Sequence, residues 1–362
     1  MRLGVLTGGG DCPGLNALIR AVVRRGTREF RHEFIGIENG YIGLIEPGMA
    51  GPLTVENTLG ILPKGGTILG TSNRANPFQY PVREGDRHLE KDVSAKALER
   101  YRQLGLDGLI AVGGDGTLSI AHRLSGLGMN VVGCPKTIDN DLTGTEVTFG
   151  FDTARAVCTE AVDRLHSTAE SHERVMLLEV MGRHAGFLAL ESGVAGGADI
   201  ILIPEIPYQI GPVVKAIKSR RDRRRSFSIL VVSEGAHEVG GSPSVVTHAE
   251  EIPGRGVVRL GGAGRVAADK LASQVDAEIR VTVLGHLQRG GSPSAADRLL
   301  ATRFGYHVLD LVAAGKWDHM VGMHQGEIRP VPLAETTKSR RVDPEGELVS
   351  VARSLGISFG DR

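Results

Sequence analysis

Short apolar runs recur along the chain, and a glycine-rich or polar cluster follows each of them. The first run, residues 2–7, leads into a glycine loop, and residues 16–29 then carry apolar side chains at helical spacing. Another run follows at 33–37. Short apolar runs that end in glycine predict buried strands, and their alternation with amphipathic helices predicts a parallel α/β sheet.

The later runs repeat this arrangement. We predict further strands at 106–112, 131–134, 174–180, 228–232 and 278–284, with a helix at 117–124 after the first of these. Parallel sheets bind ligands beyond the carboxyl ends of their strands. Because each polar cluster follows a predicted strand, the clusters are expected to converge on one site.

Length and charge narrow the class of protein. A chain of 362 residues predicts about two domains. Its 42 basic and 42 acidic side chains balance, which argues against nucleic acid or membrane as a partner. The N-terminus shows no signal peptide and no apolar run reaches the roughly 18 residues of a membrane span, so a cytoplasmic protein is expected. Three cysteines without paired spacing predict buried, reduced thiols.

Two glycine loops carry an aspartate, Gly8-Gly9-Gly10-Asp11 and Gly113-Gly114-Asp115-Gly116-Thr117. A glycine loop that opens a helix presents backbone N–H groups to a phosphate, and the helix dipole favours the same charge. Neither loop matches the P-loop pattern. Asp115 is a suitable ligand for Mg²⁺. The second motif also occurs in lipid kinases and NAD kinases, so it predicts nucleotide phosphate chemistry without defining the acceptor.

The segment Pro135-Lys136-Thr137-Ile138-Asp139-Asn140-Asp141 places two carboxylates two positions apart. On an extended or turning segment such residues project to one side, so one could accept a proton while the other holds it or a metal in place. Phosphoryl transfer to a hydroxyl needs cations, a metal and a base. Arg74, Lys136 and Arg183 are the candidate cations, and Asp139 is the candidate base.

Taken in order, these motifs resemble the bacterial-type 6-phosphofructokinase family over about residues 1–310. Its marks here are the two glycine loops, residues 137–141, Met181-Gly182-Arg183-His184, Glu234-Gly235 and Leu284-Gly285-His286-Leu287-Gln288-Arg289-Gly290-Gly291. The resemblance implies a two-lobed α/β fold with parallel-rich sheets flanked by helices and an active site in the inter-lobe cleft. It divides the chain into a phosphoryl-donor lobe (1–150 with about 288–338) and a sugar-phosphate lobe (151–287 with about 339–362).

The resemblance also implies a role for each matching residue. The phosphoryl donor would be bound by Gly10, Arg74, Gly113, Gly114, Asp115, Gly116 and Thr117, with Asp115 on Mg²⁺. Asp139 would take the proton from the sugar 1-hydroxyl, with Thr137 and Asp141 positioning it. Fructose 6-phosphate would be held by Met181, Gly182, Arg183, Glu234, Arg174, Arg280, His286 and Arg289. Arg174 and Arg280 would reach over from a neighbouring subunit of a homodimer or homotetramer, and His286 is expected beside Arg280 and Arg289 at one strand end.

Two positions bear on whether the phosphoryl donor is ATP or pyrophosphate. Relatives that use ATP usually have glycine at positions 116 and 136, whereas relatives that use pyrophosphate usually have aspartate and lysine there. This chain has Gly116 and Lys136. A carboxylate at position 116 would repel the α-phosphate of ATP. We expect the absence of that carboxylate to affect the choice of donor more than the positive charge of Lys136, since specificity often depends on the repulsive element. The sequence therefore favours ATP, with a pyrophosphate-dependent enzyme as the alternative.

A rival of another class is a catalytically silent regulatory subunit. That class would have lost its base, metal or phosphate ligands, yet Asp115, Asp139, Arg183 and Arg280 are all present. Outside the motifs, residues 238–256 are expected to form a surface loop, and 220–225 a basic run at a helix end. The charged tail beyond residue 310 is expected to be a helix.

Overall fold

The computed structural model describes residues 1–84, 87–222, 226–245 and 261–362. Its strands, in chain order, are β1 (Arg2–Thr7), β2 (Glu33–Ile37), β3 (Ala50–Leu53), β4 (Tyr80–Glu84), β5 (Arg87–Lys91), β6 (Gly108–Gly113), β7 (Val131–Pro135), β8 (Val175–Val180), β9 (Ile200–Leu202), β10 (Ser228–Ser233), β11 (Ile279–Val283), β12 (His319–His324) and β13 (Glu327–Pro332). Every strand predicted from the sequence is present within two residues at each end.

The α-helices are α1 (Leu15–Phe30), α2 (Ser94–Gln103), α3 (Asp115–Ser125), α4 (Phe151–His172), α5 (Phe187–Ala195), α6 (Ile210–Asp222), α7 (Ala263–Ala272), α8 (Ala295–Ala313) and α9 (Glu347–Ser354). Short 3₁₀ helices span Gly40–Leu44, Gly285–Arg289 and Leu333–Thr337. The tail beyond residue 310 was expected to be helical, but it forms β12 and β13 before the short α9. Residues 223–225 of the basic run and 246–256 of the predicted surface loop lie outside the described residues.

The chain divides into two compact units. The first comprises Met1–Ile138, Leu142–Asp152 and Arg289–Ser339, and the second comprises Asp139–Asp141, Thr153–Gln288 and Arg340–Arg362. The fold class predicted from the sequence, α/β with parallel-rich sheets flanked by helices, is confirmed.

The first unit is built on a seven-stranded sheet in the order β13-β12-β7-β6-β1-β2-β3. The five inner strands run parallel, and the outer strands β13 and β3 are antiparallel to their neighbours. From β1 the chain builds outward to β2 on one side and then to β6 and β7 on the other. The strand order therefore reverses between β1 and β6, which is where an open α/β sheet binds ligands.

The second unit has a four-stranded, wholly parallel sheet in the order β11-β8-β10-β9. Here the order reverses between β8 and β11. The inner strands β8 and β10 are buried along their whole length, as sheets covered by helices on both faces require. This unit therefore has a second position at which loops from neighbouring strands can form a site.

All three cysteines are buried, as the sequence predicted. Burial raises the pKa of Cys12 and of Cys158 to about 12, and it also raises the pKa of Cys134. A raised pKa leaves almost no thiolate near neutral pH, and the thiolate is the reactive form.

We therefore expect the native protein to react only slowly with a disulfide reagent such as DTNB at about pH 8. After unfolding in guanidinium chloride, 3 thiols per chain should react at once. A thiol that reacts rapidly in the native protein would contradict this burial.

Candidate functional site

Both glycine loops lie at the switch point of the first sheet. The loop at Gly8 follows β1, and the loop at Gly113 follows β6, the strand next to it. The backbone N–H of Gly8 donates to the Val112 carbonyl (2.9 Å), so the two loops leave the sheet side by side. The sequence-based expectation that these loops converge is confirmed.

The side chain of Thr117 fixes the spacing between the loops. A Cβ on Gly8 would lie 2.6 Å from the Thr117 Oγ1, and a Cβ on Gly113 would lie 2.3 Å from the Thr117 Cβ. Both positions therefore exclude any larger residue. The buried Tyr41 hydroxyl donates to the Thr117 carbonyl (2.8 Å), which helps to hold the first turn of α3 in place.

Gly116, the second residue of α3, differs from these packed glycines. A Cβ at this position would have no atom within 4 Å, and the residue is exposed. The Asp115 side chain beside it is also exposed, and its Oδ1 accepts the Gly116 N–H (2.7 Å). The helix therefore begins with an open backbone and one accessible carboxylate, and its dipole is positive at this end.

Lys136 connects the two loops. Its side chain is only 3% exposed, its Nζ donates to the Gly10 carbonyl, and its backbone N–H donates to the Gly113 carbonyl (3.0 Å). The sequence had identified this lysine only as a cation. The structure adds that it holds the main chain of both loops.

Arg74 is exposed in a loop that is tied to the first glycine loop. The Gly9 N–H donates to the Ser72 carbonyl (3.1 Å), and the Thr71 hydroxyl donates to the Gly9 carbonyl (2.5 Å). The predicted donor-binding residues are thus brought together in the first unit. Arg289 also belongs to this unit, where its Nη1 donates to the Asp11 carbonyl (3.0 Å). Its assignment to the sugar 6-phosphate stays a prediction.

The segment with the two aspartates follows β7. Thr137, Asp139 and Asp141 are each half-buried, and Ile138 between the first two is fully buried and anchors the segment. Asn140 has a left-handed backbone (φ 53°), so the segment turns instead of continuing as a strand.

In the second unit, the loops after β8, β10 and β11 carry most of the predicted sugar-phosphate residues. They are Met181, Gly182, Arg183, Glu234 and His286. Gly182 has φ 132°, and its carbonyl accepts from the Ser233 hydroxyl (2.6 Å) and the Gly235 N–H (3.2 Å). This backbone conformation and the close packing explain why position 182 is glycine.

Gln288 holds two of these loops together, a role that its place in the sequence does not predict. The side chain is fully buried, with its Oε1 accepting from the Met181 N–H (3.1 Å) and the Cys158 thiol (3.0 Å). Its Nε2 donates to the Gly285 carbonyl (2.9 Å). A buried amide with hydrogen bonds at both its oxygen and its nitrogen fixes the loop after β8 against the 3₁₀ helix after β11.

Arg174 and Arg280 lie near the opposite, N-terminal ends of the strands of this sheet. Arg174 directly precedes β8 and Arg280 is the second residue of β11, and both donate to the carboxylate of Glu278. These arginines hold the pKa of Glu278 below its usual value. The expectation that His286 and Arg280 share one strand end is wrong, because β11 runs between them. Within one chain, Arg280, which pairs with Met176, lies about 13 Å along the strands from the end of β8 at Val180, and Arg174 lies about 20 Å from that end.

Glycine loops where the strand order of an open α/β sheet reverses are typical of phosphate-binding α/β proteins. The chain belongs to the phosphofructokinase family, whose model matches residues 2–312. The resemblance inferred from its motifs is thereby confirmed. Among the described residues, no helix is both long and apolar enough to cross a membrane.

A relative named for ATP and a relative named for pyrophosphate are equally similar to the chain. It is 48% identical over 363 residues to the ATP-dependent 6-phosphofructokinase 2 of Clostridium perfringens, covering 99% of this chain and 98% of that protein. It is also 48% identical over 363 residues to the pyrophosphate–fructose 6-phosphate 1-phosphotransferase of Streptomyces coelicolor, covering 99% and 100%. Overall identity therefore does not decide the donor.

The fold is shared with a solved phosphofructokinase of a yeast. The crystal structure of the Pichia pastoris enzyme in the T-state superimposes with a TM-score of 0.79 at 31% identity. The match covers 98% of this chain and 36% of that chain. The present chain thus spans about a third of the length of the yeast protein.

Proposed function

We propose that the protein is a 6-phosphofructokinase that transfers the γ-phosphoryl group of ATP to the 1-hydroxyl of D-fructose 6-phosphate, giving fructose 1,6-bisphosphate. Family membership and relatives such as that of Clostridium perfringens support the reaction. The observation that carries the choice of ATP is the open space at Gly116, because a nucleotide needs room at the start of α3 that a carboxylate would take away.

The donor is assigned to the two glycine loops. Backbone N–H groups at the start of α3 suit its phosphates, and Arg74 and Lys136 supply positive charge beside them. Lys136 acts mainly through the loops that it connects, since its Nζ donates to the Gly10 carbonyl. A lysine with this function is compatible with ATP, although relatives with lysine at this position often use pyrophosphate.

Asp115 is the residue that would hold Mg²⁺. Among the described residues, no cluster of three or more His, Cys, Asp or Glu side chains could hold a metal by itself. A single exposed carboxylate fits Mg²⁺, which takes one or two protein carboxylates and completes its shell with phosphate oxygens and water. When bound, the ion would neutralise charge on the phosphate groups.

The sugar is assigned to the loops of the second unit. Asp139 accepts the proton of the 1-hydroxyl, and Thr137 and Asp141 keep its carboxylate in place. Met181, Gly182, Arg183 and Glu234 bind the sugar, and Arg183 retains a buried Nε with no hydrogen-bond partner in the described part of the chain. Such an N–H donor is suited to an oxygen of the sugar or of the moving phosphoryl group.

The 6-phosphate is assigned to His286 and Arg289 of one chain and to Arg174 and Arg280 of a neighbouring one. About 13 Å or more of strand lies between these two arginines and the other end of the second sheet, where His286 follows β11. This separation supports the division, because Arg174 and Arg280 are not expected to reach the phosphate that His286 of the same chain binds. The protein is accordingly proposed to be a homodimer or homotetramer with shared sites.

The experiment that tests this function measures the phosphorylation of fructose 6-phosphate by ATP and Mg²⁺, with fructose as the matched acceptor. A fructose kinase without phosphate recognition would use both sugars alike, whereas arginine recognition of a dianion is expected to favour fructose 6-phosphate by at least about 10²-fold in kcat/KM. Absence of fructose 1,6-bisphosphate from the products, as a silent regulatory subunit would give, would overturn the proposal.

A further inference from the structure

The C-terminal segment of the second unit contacts the turn that carries Asp139 and Asp141. The Arg340 backbone N–H donates to the Asp141 carbonyl (2.6 Å). Its guanidinium donates twice to the Asn140 carbonyl, from Nε (3.2 Å) and from Nη2 (2.8 Å). One residue thus supplies three donors to two consecutive carbonyl groups.

These contacts act on a strained part of the backbone. Asn140 is in the left-handed region (φ 53°), which asparagine adopts more readily than most residues but which still needs support from its surroundings. The guanidinium of Arg340 also lies over the ring of Phe187, 4.7 Å from its centroid, and this contact limits the positions that the arginine can take.

Neighbouring residues of the same segment make similar contacts within the first unit. Ser339 pairs with Leu142, and the Thr143 hydroxyl donates to the carbonyls of Glu335 (2.7 Å) and Lys338 (2.8 Å). Within the first unit, the chain around residues 335–339 therefore runs beside the chain around 142–143.

We infer that Arg340 is a positioning residue for Asp139. It fixes the two carbonyl groups that follow Asp139, and so it fixes the direction in which that carboxylate leaves the main chain. Arg340 lies beyond residues 2–312, the part of the chain that the family model matches, so none of the family motifs includes it. The inference rests on the proposed function, in which Asp139 is the base.

The test begins with Arg340→Met, which keeps a long side chain near Phe187 but removes the guanidinium donors. A displacement of about 1 Å at a reacting group can cost about 10²-fold, so kcat is expected to fall by about 10- to 100-fold. The KM for ATP is expected to stay within about twofold of the parent value, because the substitution removes no hydrogen bond of the two glycine loops. Arg340→Lys, which retains one cation and one donor group, should recover part of the loss.

Arg341→Met is the matched control, since Arg341 is the exposed neighbour and has no place in the proposed machinery. It is expected to leave kcat unchanged. Thermal unfolding of each variant establishes whether it is folded. If Arg340→Met does not fold, Arg340→Lys becomes the main variant. Unchanged kcat in a folded Arg340 variant would overturn the inference.

A double-mutant cycle distinguishes positioning of Asp139 from a general structural effect of the substitution. If Arg340 acts through Asp139, then Arg340→Met should have little further effect on the residual turnover of an Asp139→Asn enzyme. Equal loss in both backgrounds would show a structural role only and would overturn the inference. Near-normal turnover of Asp139→Asn alone would instead refute the proposed base, and the two failures can be told apart.

Discussion

Replacing Asp139 with asparagine is expected to lower kcat for fructose 6-phosphate phosphorylation by about 10²- to 10⁴-fold, the usual contribution of a general base. The asparagine amide has the same size as the carboxylate but cannot accept the proton of the 1-hydroxyl. Steady-state kinetics with saturating ATP and Mg²⁺ would measure the loss. The KM for ATP is expected to change little, because the donor loops are built from other strands.

Asp141→Asn is the matched control for this change. Both aspartates lie on the same turn and both are half-buried, so a general effect of losing one negative charge would be similar for the two. Asp141 is assigned a positioning role and its replacement should cost clearly less. A larger loss in Asp141→Asn than in Asp139→Asn would reverse the assignment of the base.

Replacing Gly116 with aspartate is expected to lower kcat/KM for ATP by about 10²- to 10³-fold while leaving the fold intact. A new Cβ would meet no atom within 4 Å, and a carboxylate in the first turn of a helix is favoured by the helix dipole. The loss comes from repulsion of the donor: two like charges about 4 Å apart near a protein surface cost about 4 kcal/mol.

Gly116→Asn distinguishes charge from bulk at the same position. The asparagine occupies the same space without the negative charge, so it should retain much more of the activity with ATP. Thermal unfolding of both variants should agree with that of the parent within a few degrees. Equal losses in the two variants would show that size alone obstructs the nucleotide, and unchanged activity in Gly116→Asp would remove the argument for ATP.

Much of the donor half of the site could be predicted from the sequence. A buried parallel strand is a continuous apolar run, and the glycines that follow it mark where backbone leaves the sheet, so β1, β6 and both glycine loops were recognisable. Contacts between the backbone and a side chain distant in the sequence could not be predicted. Lys136 reads as a cation in the sequence, and only the fold shows that it is buried against the Gly10 carbonyl.

The same limit explains what was missed in the second unit. Gln288 stands within a recognised motif, yet its hydrogen bonds to Met181 and Cys158 join residues more than a hundred positions apart. Arg340 lies in a tail that looked only charged. The misplacement of His286 beside Arg280 has a simpler cause: the two residues are only six positions apart, but β11 is extended between them and carries them to opposite ends of the strand.

The most direct test of the proposed function compares ATP and pyrophosphate as donors at matched concentrations, with fructose 6-phosphate and Mg²⁺. Turnover with ATP, and little or none with pyrophosphate, is the predicted result, because the space at Gly116 leaves the nucleotide path open. Turnover with pyrophosphate alone would contradict it. That outcome would mean that the charge of Lys136 outweighs the open path at Gly116, and that the enzyme is a pyrophosphate-dependent phosphotransferase.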